Sequence, residues 1–185
     1  MKTCAWLALV SAAGWIACSG IRVTTDYDPN ADFSDVRSYA WLDESSGVEG
    51  DRPDVASLLD RRVRAAVEAE FQRKGIQRVD RSAAKVLVTY HLGVESKLDV
   101  DTINTGYGYG PYGRYGGISS TTTVREYQEG TLLIDVVEPS SKQLVWRGAG
   151  QARIREYSKP EEREQRINQA VKEILEKFPP GAKKG

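Results

Sequence analysis

The chain has 185 residues, 26 Lys+Arg against 26 Asp+Glu, and 40% hydrophobic residues, enough for one folded domain with its own core. With no net charge and a mean hydropathy of −0.48, it shows no basic or acidic bias that would point to nucleic acid or another polyanion, whose binding rests on clustered charge. It also lacks the repeated apolar runs of a polytopic membrane protein. Two Cys and one His exclude a disulfide framework and most cysteine-rich metal sites.

After Lys2, the stretch Ala5 to Ala17 is mostly apolar. It is shorter than the about 20 apolar residues a spanning helix needs and has the proportions of a signal-peptide h-region. The stretch ends Trp15-Ile16-Ala17-Cys18-Ser19. A small residue directly before a Cys at the end of an h-region resembles the lipobox of bacterial lipoproteins, with Trp15 standing where that family usually has Leu. The resemblance implies cleavage before Cys18 and acylation of its thiol and new amine. Ser19 is not the Asp that retains such lipoproteins at the inner membrane in enterobacteria, so the resemblance implies outer-membrane sorting. Cys4 lies inside the leader, which leaves Cys18 as the lone thiol of the secreted part. Such a thiol is a liability in an oxidising compartment unless it is used, and several acyl chains make a stable anchor where one is marginal. An ordinary secretory signal with an incidental Cys is the alternative. The expected organisation is a signal peptide over residues 1–17 and one domain over residues 18–185.

Ile21 to Tyr27 alternates and is rich in β-branched residues, which predicts a strand ended by Asp28-Pro29-Asn30. Ser38 to Leu42 predicts a second, short strand, and the acidic stretch Asp43 to Pro53, with Gly47 and Gly50, a surface loop. A first helix is predicted from an Asp54 N-cap to Lys74, with Gly75 at the C′ position. Its apolar stripe is Leu59, Val63, Ala66, Val67 and Phe71, and its Arg residues fall largely on the other side. Lys85 to Glu95 alternates, with Val86, Val88, Tyr90, Leu92 and Val94 on one face, as in a sheet buried on one side.

Thr131 to Val137 and Gln143 to Glu156 read as a hairpin around residues 138–142. In the second arm Leu144, Trp146, Gly148, Gly150, Ala152 and Ile154 share the core face, and Arg147, Gln151, Arg153 and Arg155 share a basic one. Gly148 and Gly150 mark a bend, a bulge or a close packing contact. A second helix follows, with capping-box spacing at Ser158 and Glu161, a stripe from Ile167 to Phe178, and Pro179-Pro180 as its stop. Two singly striped helices and strands with one apolar face predict an α+β, two-layer sandwich: a mainly antiparallel sheet with both helices packed on one face.

Tyr39-Ala40-Trp41 after Asp32-Phe33-Ser34, the Val86-to-Tyr90 strand, Trp146-Arg147-Gly148, and Ala170-Val171 through Phe178-Pro179-Pro180 together resemble the DUF4136 family of bacterial lipoproteins. The resemblance spans about Ile21 to Pro180 and implies a secreted, lipid-anchored α+β domain. It brings no catalytic residue with it. Trp41 and Trp146 are expected to fill the layer between sheet and helices, since a Trp buries about 150–250 Å².

No nucleophile elbow, phosphate loop or dinucleotide fingerprint is present, and the spaced Gly106, Gly108 and Gly110 follow no buried parallel strand. His91 falls on the polar face of its strand. Asp99-Val100-Asp101 sits beside a Gly-rich loop and lacks the ligand ladder of a calcium site. The segment Asn104 to Gly117 has four Tyr and six Gly and reads either as a flexible hairpin tip or as an adhesive loop, because Tyr gives contact area at low rotamer cost. The sequence therefore predicts a non-enzymatic, outer-membrane-anchored envelope protein that binds or scaffolds a partner, an envelope protein or peptidoglycan. Its candidate contacts are Tyr107, Tyr109, Tyr112 and Tyr115 in the loop and Arg147, Arg153 and Arg155 on the open sheet face. No catalytic residue, metal, cofactor or nucleic acid is expected. The alternative is a hydrolase of an envelope glycan or peptide using carboxylates such as Asp99, Asp101 or Asp135.

Overall fold

The computed structural model describes residues 20–42, 53–106, 118–155 and 159–181. Its strands are β1 (Arg22–Tyr27), β2 (Ser38–Trp41), β3 (Gln77–Arg78), β4 (Val86–Gly106), β5 (Ile118–Val137) and β6 (Leu144–Arg153), and its helices α1 (Pro53–Arg73) and α2 (Pro160–Leu175). They form one six-stranded sheet of order β1-β6-β5-β4-β2-β3. The β1–β6, β6–β5 and β5–β4 pairs are antiparallel, whereas β2 pairs β4 and β3 in parallel. The sheet is therefore mixed and open, with its antiparallel part the larger. Both helices pack on one face, as the single stripes require.

The predicted stripes are the core. Val63, Ala66, Val67 and Phe71 of α1 and Val171, Ile174 and Leu175 of α2 are buried against Val88, Tyr90, Ile134, Val136 and Trp146 of the sheet. Aromatic rings bridge the layers: Tyr39 meets Phe71 at 4.7 Å, Phe71 meets Phe178 at 6.0 Å, and Phe178 meets Trp146 at 5.0 Å between centroids. Lys74 Nζ donates to the Phe178 carbonyl at 2.9 Å and ties the C-terminal end of α1 to the segment after α2. Gly75 has φ +76°, the left-handed C′ conformation expected of it.

Gly148 and Gly150 mark close packing. A Cβ on Gly148 would lie 2.5 Å from Ile174 Cγ2, and one on Gly150 would lie 2.9 Å from Ile174 Cδ1, so these glycines let α2 settle onto β6. The bulge lies instead at Val136/Val137, where Val136 pairs Trp146 and Val137 pairs Leu144. This shift removes Leu144 from the core face assigned to it, and Leu144 is 45% exposed.

Three further expectations are corrected. Helix α1 begins at Pro53, so Asp54 lies inside the first turn rather than capping it. Lys159 is the N-cap of α2 and makes no side-chain cap bond, so Glu161 serves as a first-turn acid that complements the helix dipole. The largest difference is the length of β4 and β5, which run 21 and 20 residues. They stay in register from Leu87↔Val137 to Gly106↔Ile118, well past the last β6 partner at Glu129↔Arg153. Asp99-Val100-Asp101 is thus strand, and the two strands form a free-standing ribbon.

Candidate functional site

The ribbon continues the pleat of the sheet, so its two faces inherit the sheet's two characters. Val94, Leu98 and Val100 lie on the same face as the buried Val88 and Tyr90, and Val124 sits directly opposite Val100. Beyond the reach of the helices this face has nothing to pack on: Val94, Leu98, Val100 and Val124 are 56–67% exposed. The other face is charged. Arg153 Nη2 donates to Asp99 Oδ2 at 2.6 Å, and its guanidinium lies 3.9 Å from the Tyr127 ring centroid. Lys97 pairs with Glu129 beside them. Carboxylate partners hold both cations, the Arg153 guanidinium and the Lys97 ammonium, above their ordinary pKa values, chiefly through these hydrogen bonds.

At the base of the ribbon the helices and the sheet part to leave a groove of 650 Å³. Leu59 and Val63 of α1 and Ile167 and Ala170 of α2 form its walls, and Leu92, Leu132, Gly130, Gly150 and Ala152 its floor. The small residues make the space. Arg153, Arg155, Arg163 and Arg166 line it as well, with no carboxylate among the lining residues, and Ile21, just before β1, completes the wall.

The structure separates the residues singled out in the sequence. Arg147 forks onto Asp135, Nε to Oδ1 at 2.7 Å and Nη2 to Oδ2 at 2.6 Å, and the Asp135 side chain is only 5% exposed. The hydrogen bonds that Arg147 donates to Asp135 hold its guanidinium charged, above its usual range. Arg147 is thus a structural ion pair on the open face. Arg153 is committed to Asp99, and Arg155 belongs to the groove mouth. His91 is exposed on the open face. Cys18 and Tyr107, Tyr109, Tyr112 and Tyr115 lie outside the described residues. No group of three or more His, Cys, Asp or Glu that could hold a metal occurs among the described residues.

Sequence reading missed Arg163 and Arg166, which look like the solvated side of α2 until α2 is docked beside β6. It also missed a half-buried cluster on α1. Arg64 Nε donates to Asp60 Oδ1 at 2.9 Å, and its guanidinium covers the Trp41 ring at 4.5 Å. Tyr90 Oη donates to the same Asp60, and Trp41 Nε1 donates to Glu68 Oε1 at 3.1 Å. This network caps the aromatic core and has a structural role.

Among solved structures the chain is similar to a PDZ domain protein from Parabacteroides distasonis ATCC 8503, at TM-score 0.54 and 10% identity over 89% of this chain. The chain covers 37% of that protein, less than half its length. It is also similar to PelC, crystallised as a dodecamer, from Paraburkholderia phytofirmans (TM-score 0.46, 11% identity, 84% of this chain and 94% of that one). A third is a putative neuraminyllactose-binding hemagglutinin homolog from Helicobacter pylori (TM-score 0.42, 14% identity, 79% of this chain and 87% of that one). At such identities the likeness is one of fold. No curated protein sequence matches the chain. The family model described as a domain of unknown function, DUF4136, matches residues 23–180, a span that takes in both helices and, apart from Arg22 of β1, all the strands. The chain belongs to the DUF4136 family.

Proposed function

We infer that the protein is a lipid-anchored protein of the cell envelope, held through Cys18 at the periplasmic face of the outer membrane, where it binds or scaffolds a partner and catalyses no reaction. One observation carries this reading: the fold leaves an amphipathic ribbon, with Val94, Leu98, Val100 and Val124 exposed, rising from an arginine-lined apolar groove. Exposed apolar side chains grouped as Leu98, Val100 and Val124 are favour an interaction site. The N-terminal lipobox pattern supplies the address. The Tyr-rich segment 107–117, which links the two ribbon strands in sequence, adds residue types suited to contact with an envelope protein or peptidoglycan.

The hydrolase alternative needs two carboxylates in contrasting environments within one cleft. Asp135 is instead buried under a bidentate Arg147, and Asp99 is paired with Arg153 on the ribbon. In-cell photo-crosslinking from positions 98 and 124 tests the binding reading. Discrete crosslinked products are expected, and they should be lost when Val100→Ser and Val94→Ser remove the apolar stripe. Products unchanged by those substitutions would place the contact elsewhere. Turnover of an envelope glycan or peptide, abolished by Asp99→Asn or Asp135→Asn, would establish the hydrolase instead.

A further inference from the structure

We propose that the free edge of β4 pairs with the same edge of a second copy of this chain, antiparallel about a two-fold axis at Ser96, so that two ribbons join into one four-stranded sheet. The proposal is independent of the anchor and of any other partner.

The ribbon gives the first reason. Among the described residues, β4 and β5 past the end of β6 pair only with each other, and a two-stranded hairpin alone is marginally stable in water. The edge of β4 is also laid out for a third strand. The Val88 carbonyl accepts a hydrogen bond from the Leu42 N–H at 2.8 Å, so Val88 and every second residue after it turn N–H and C=O away from β5. β2 uses this edge only as far as Val88, and no described strand lies on that side of Leu92, Val94, Ser96, Leu98 or Val100. A long edge of this kind is a template for pairing.

The side chains select the occupant. β5 sets Gly130 opposite Val94 and Glu126 opposite Leu98, so it offers neither an apolar neighbour, and they are 56% and 67% exposed. Two-fold antiparallel pairing keeps like face with like only when a residue sits on the axis. With Ser96 there, Val94 falls opposite Leu98 of the second copy, Leu92 opposite Val100, and Glu95 opposite Lys97, each twice by symmetry. Asp99 falls opposite Gly93, so no acid meets an acid.

Neighbouring registers fail, because like charges directly opposed are destabilising. An axis at Lys97 sets that lysine against itself and Glu95 against Asp99. An axis at Glu95 sets Glu95 against itself, and one at Leu98 sets Glu95 against Asp101. An axis at Val94 leaves Leu92 facing Ser96 and Lys97 facing His91. A lysine on an edge ordinarily discourages pairing, but this one is needed. Within one copy Glu95 stands directly opposite Glu129, and Lys97 pairs with Glu129. The second copy brings another lysine to that acidic pair. The seam runs from Leu92 to Val100; past it the second ribbon meets the end of β2, and the strong twist of two-stranded ribbons turns its tip out of the sheet plane.

Sedimentation equilibrium of the purified full chain carrying Cys4→Ser and Cys18→Ser tests this, since neither native cysteine can then link two copies. A monomer–dimer equilibrium is expected. Ser96→Pro should abolish it, because the lost N–H faces the free edge and the β4–β5 ladder does not use it. Lys97→Glu should raise the dissociation constant at least about tenfold by opposing acid to acid. Glu95→Lys together with Lys97→Glu exchanges the charges across the axis and should restore the dimer. These charge variants carry the test if circular dichroism shows Ser96→Pro unfolded. Oxidation reads the register. A Cα separation of about 5.5 Å on the axis lies within disulfide range, so Ser96→Cys should cross-link to its own copy, whereas Leu98→Cys, off the axis, should not.

A chain that stays monomeric would overturn the proposal, as would a dimer indifferent to a folded Ser96→Pro variant or one that cross-links through Leu98→Cys instead of Ser96→Cys. A monomer that still gives the in-cell crosslinks would leave the binding reading standing without the dimer. A dimer with no envelope crosslinks would do the reverse.

Discussion

Replacing Gly148 by Ala adds one methyl group where β6 and α2 press together. The new Cβ would lie 2.5 Å from Ile174 Cγ2 and nearer still to Trp146 Cη2, where carbon atoms prefer about 3.5–4.0 Å. Neither neighbour has room to retreat: Ile174 is 0% and Trp146 1% exposed, and the indole is packed against Phe178. Overpacking of this kind costs about 1–3 kcal/mol. Restricting the unfolded chain by Gly→Ala returns about 0.4–1 kcal/mol, so the expected net loss is about 1–2 kcal/mol, or several degrees in melting temperature. Urea and thermal unfolding followed by tryptophan fluorescence measure it. Gly93→Ala is the internal control, since its Cβ would meet nothing within 4 Å, and it should be neutral or mildly stabilising. Trp146→Phe removes the atom nearest the added methyl, so the two substitutions together should cost less than their sum. A Gly148→Ala protein as stable as the wild type would refute the packing of α2 on β6 described here.

Arg147→Ala should destabilise by about 1–3 kcal/mol, because it strands the nearly buried Asp135 carboxylate without its bidentate partner. Water reaching the half-exposed arginine site moderates the loss. Asp135→Asn in the same chain should recover part of it, and a double-mutant cycle by urea unfolding checks the coupling. Burial, followed by the charge of Glu68, pushes the Tyr39 phenol from 10.0 up to about 12. A raised folded-state value means that this contribution is whole below pH 10, declines between pH 10 and 12, and is gone above. Stability of the wild type should therefore fall more steeply over that window than that of Tyr39→Phe, and parallel pH profiles would contradict it.

The parts of the fold that were legible in the sequence were those whose periodicity records burial. Val63, Val67 and Phe71, and Val171, Ile174 and Leu175, announce their helices because one side meets a sheet, and Val86 to Val94 announces a strand for the same reason. The two-residue β3 has too few positions to show any period, and only its parallel pairing with β2 makes it a strand. The ribbon left a partial signal. Val94, Leu98 and Val100 alternate with Glu95, Lys97, Asp99 and Asp101, but the Thr-rich partner from Ile118 to Thr123 offers little apolar content to answer it. The groove was illegible because no single segment contains it: α1, α2, β4, β5 and β6 each contribute a few residues. Arg147 and Arg153 illustrate the same limit. Alternation placed them on the open face, whereas cross-sheet carboxylates decided that they are ion-pair residues.

The proposed function turns on Cys18, because an acyl anchor there would set the compartment in which any partner is met. Growing cells with a clickable fatty acid and isolating the protein from membranes measures this directly. The wild type should carry the label on a chain that begins at Cys18, and Cys18→Ser should carry none. An unlabelled wild-type chain released into the periplasm, cut elsewhere than before Cys18, would contradict the anchored reading.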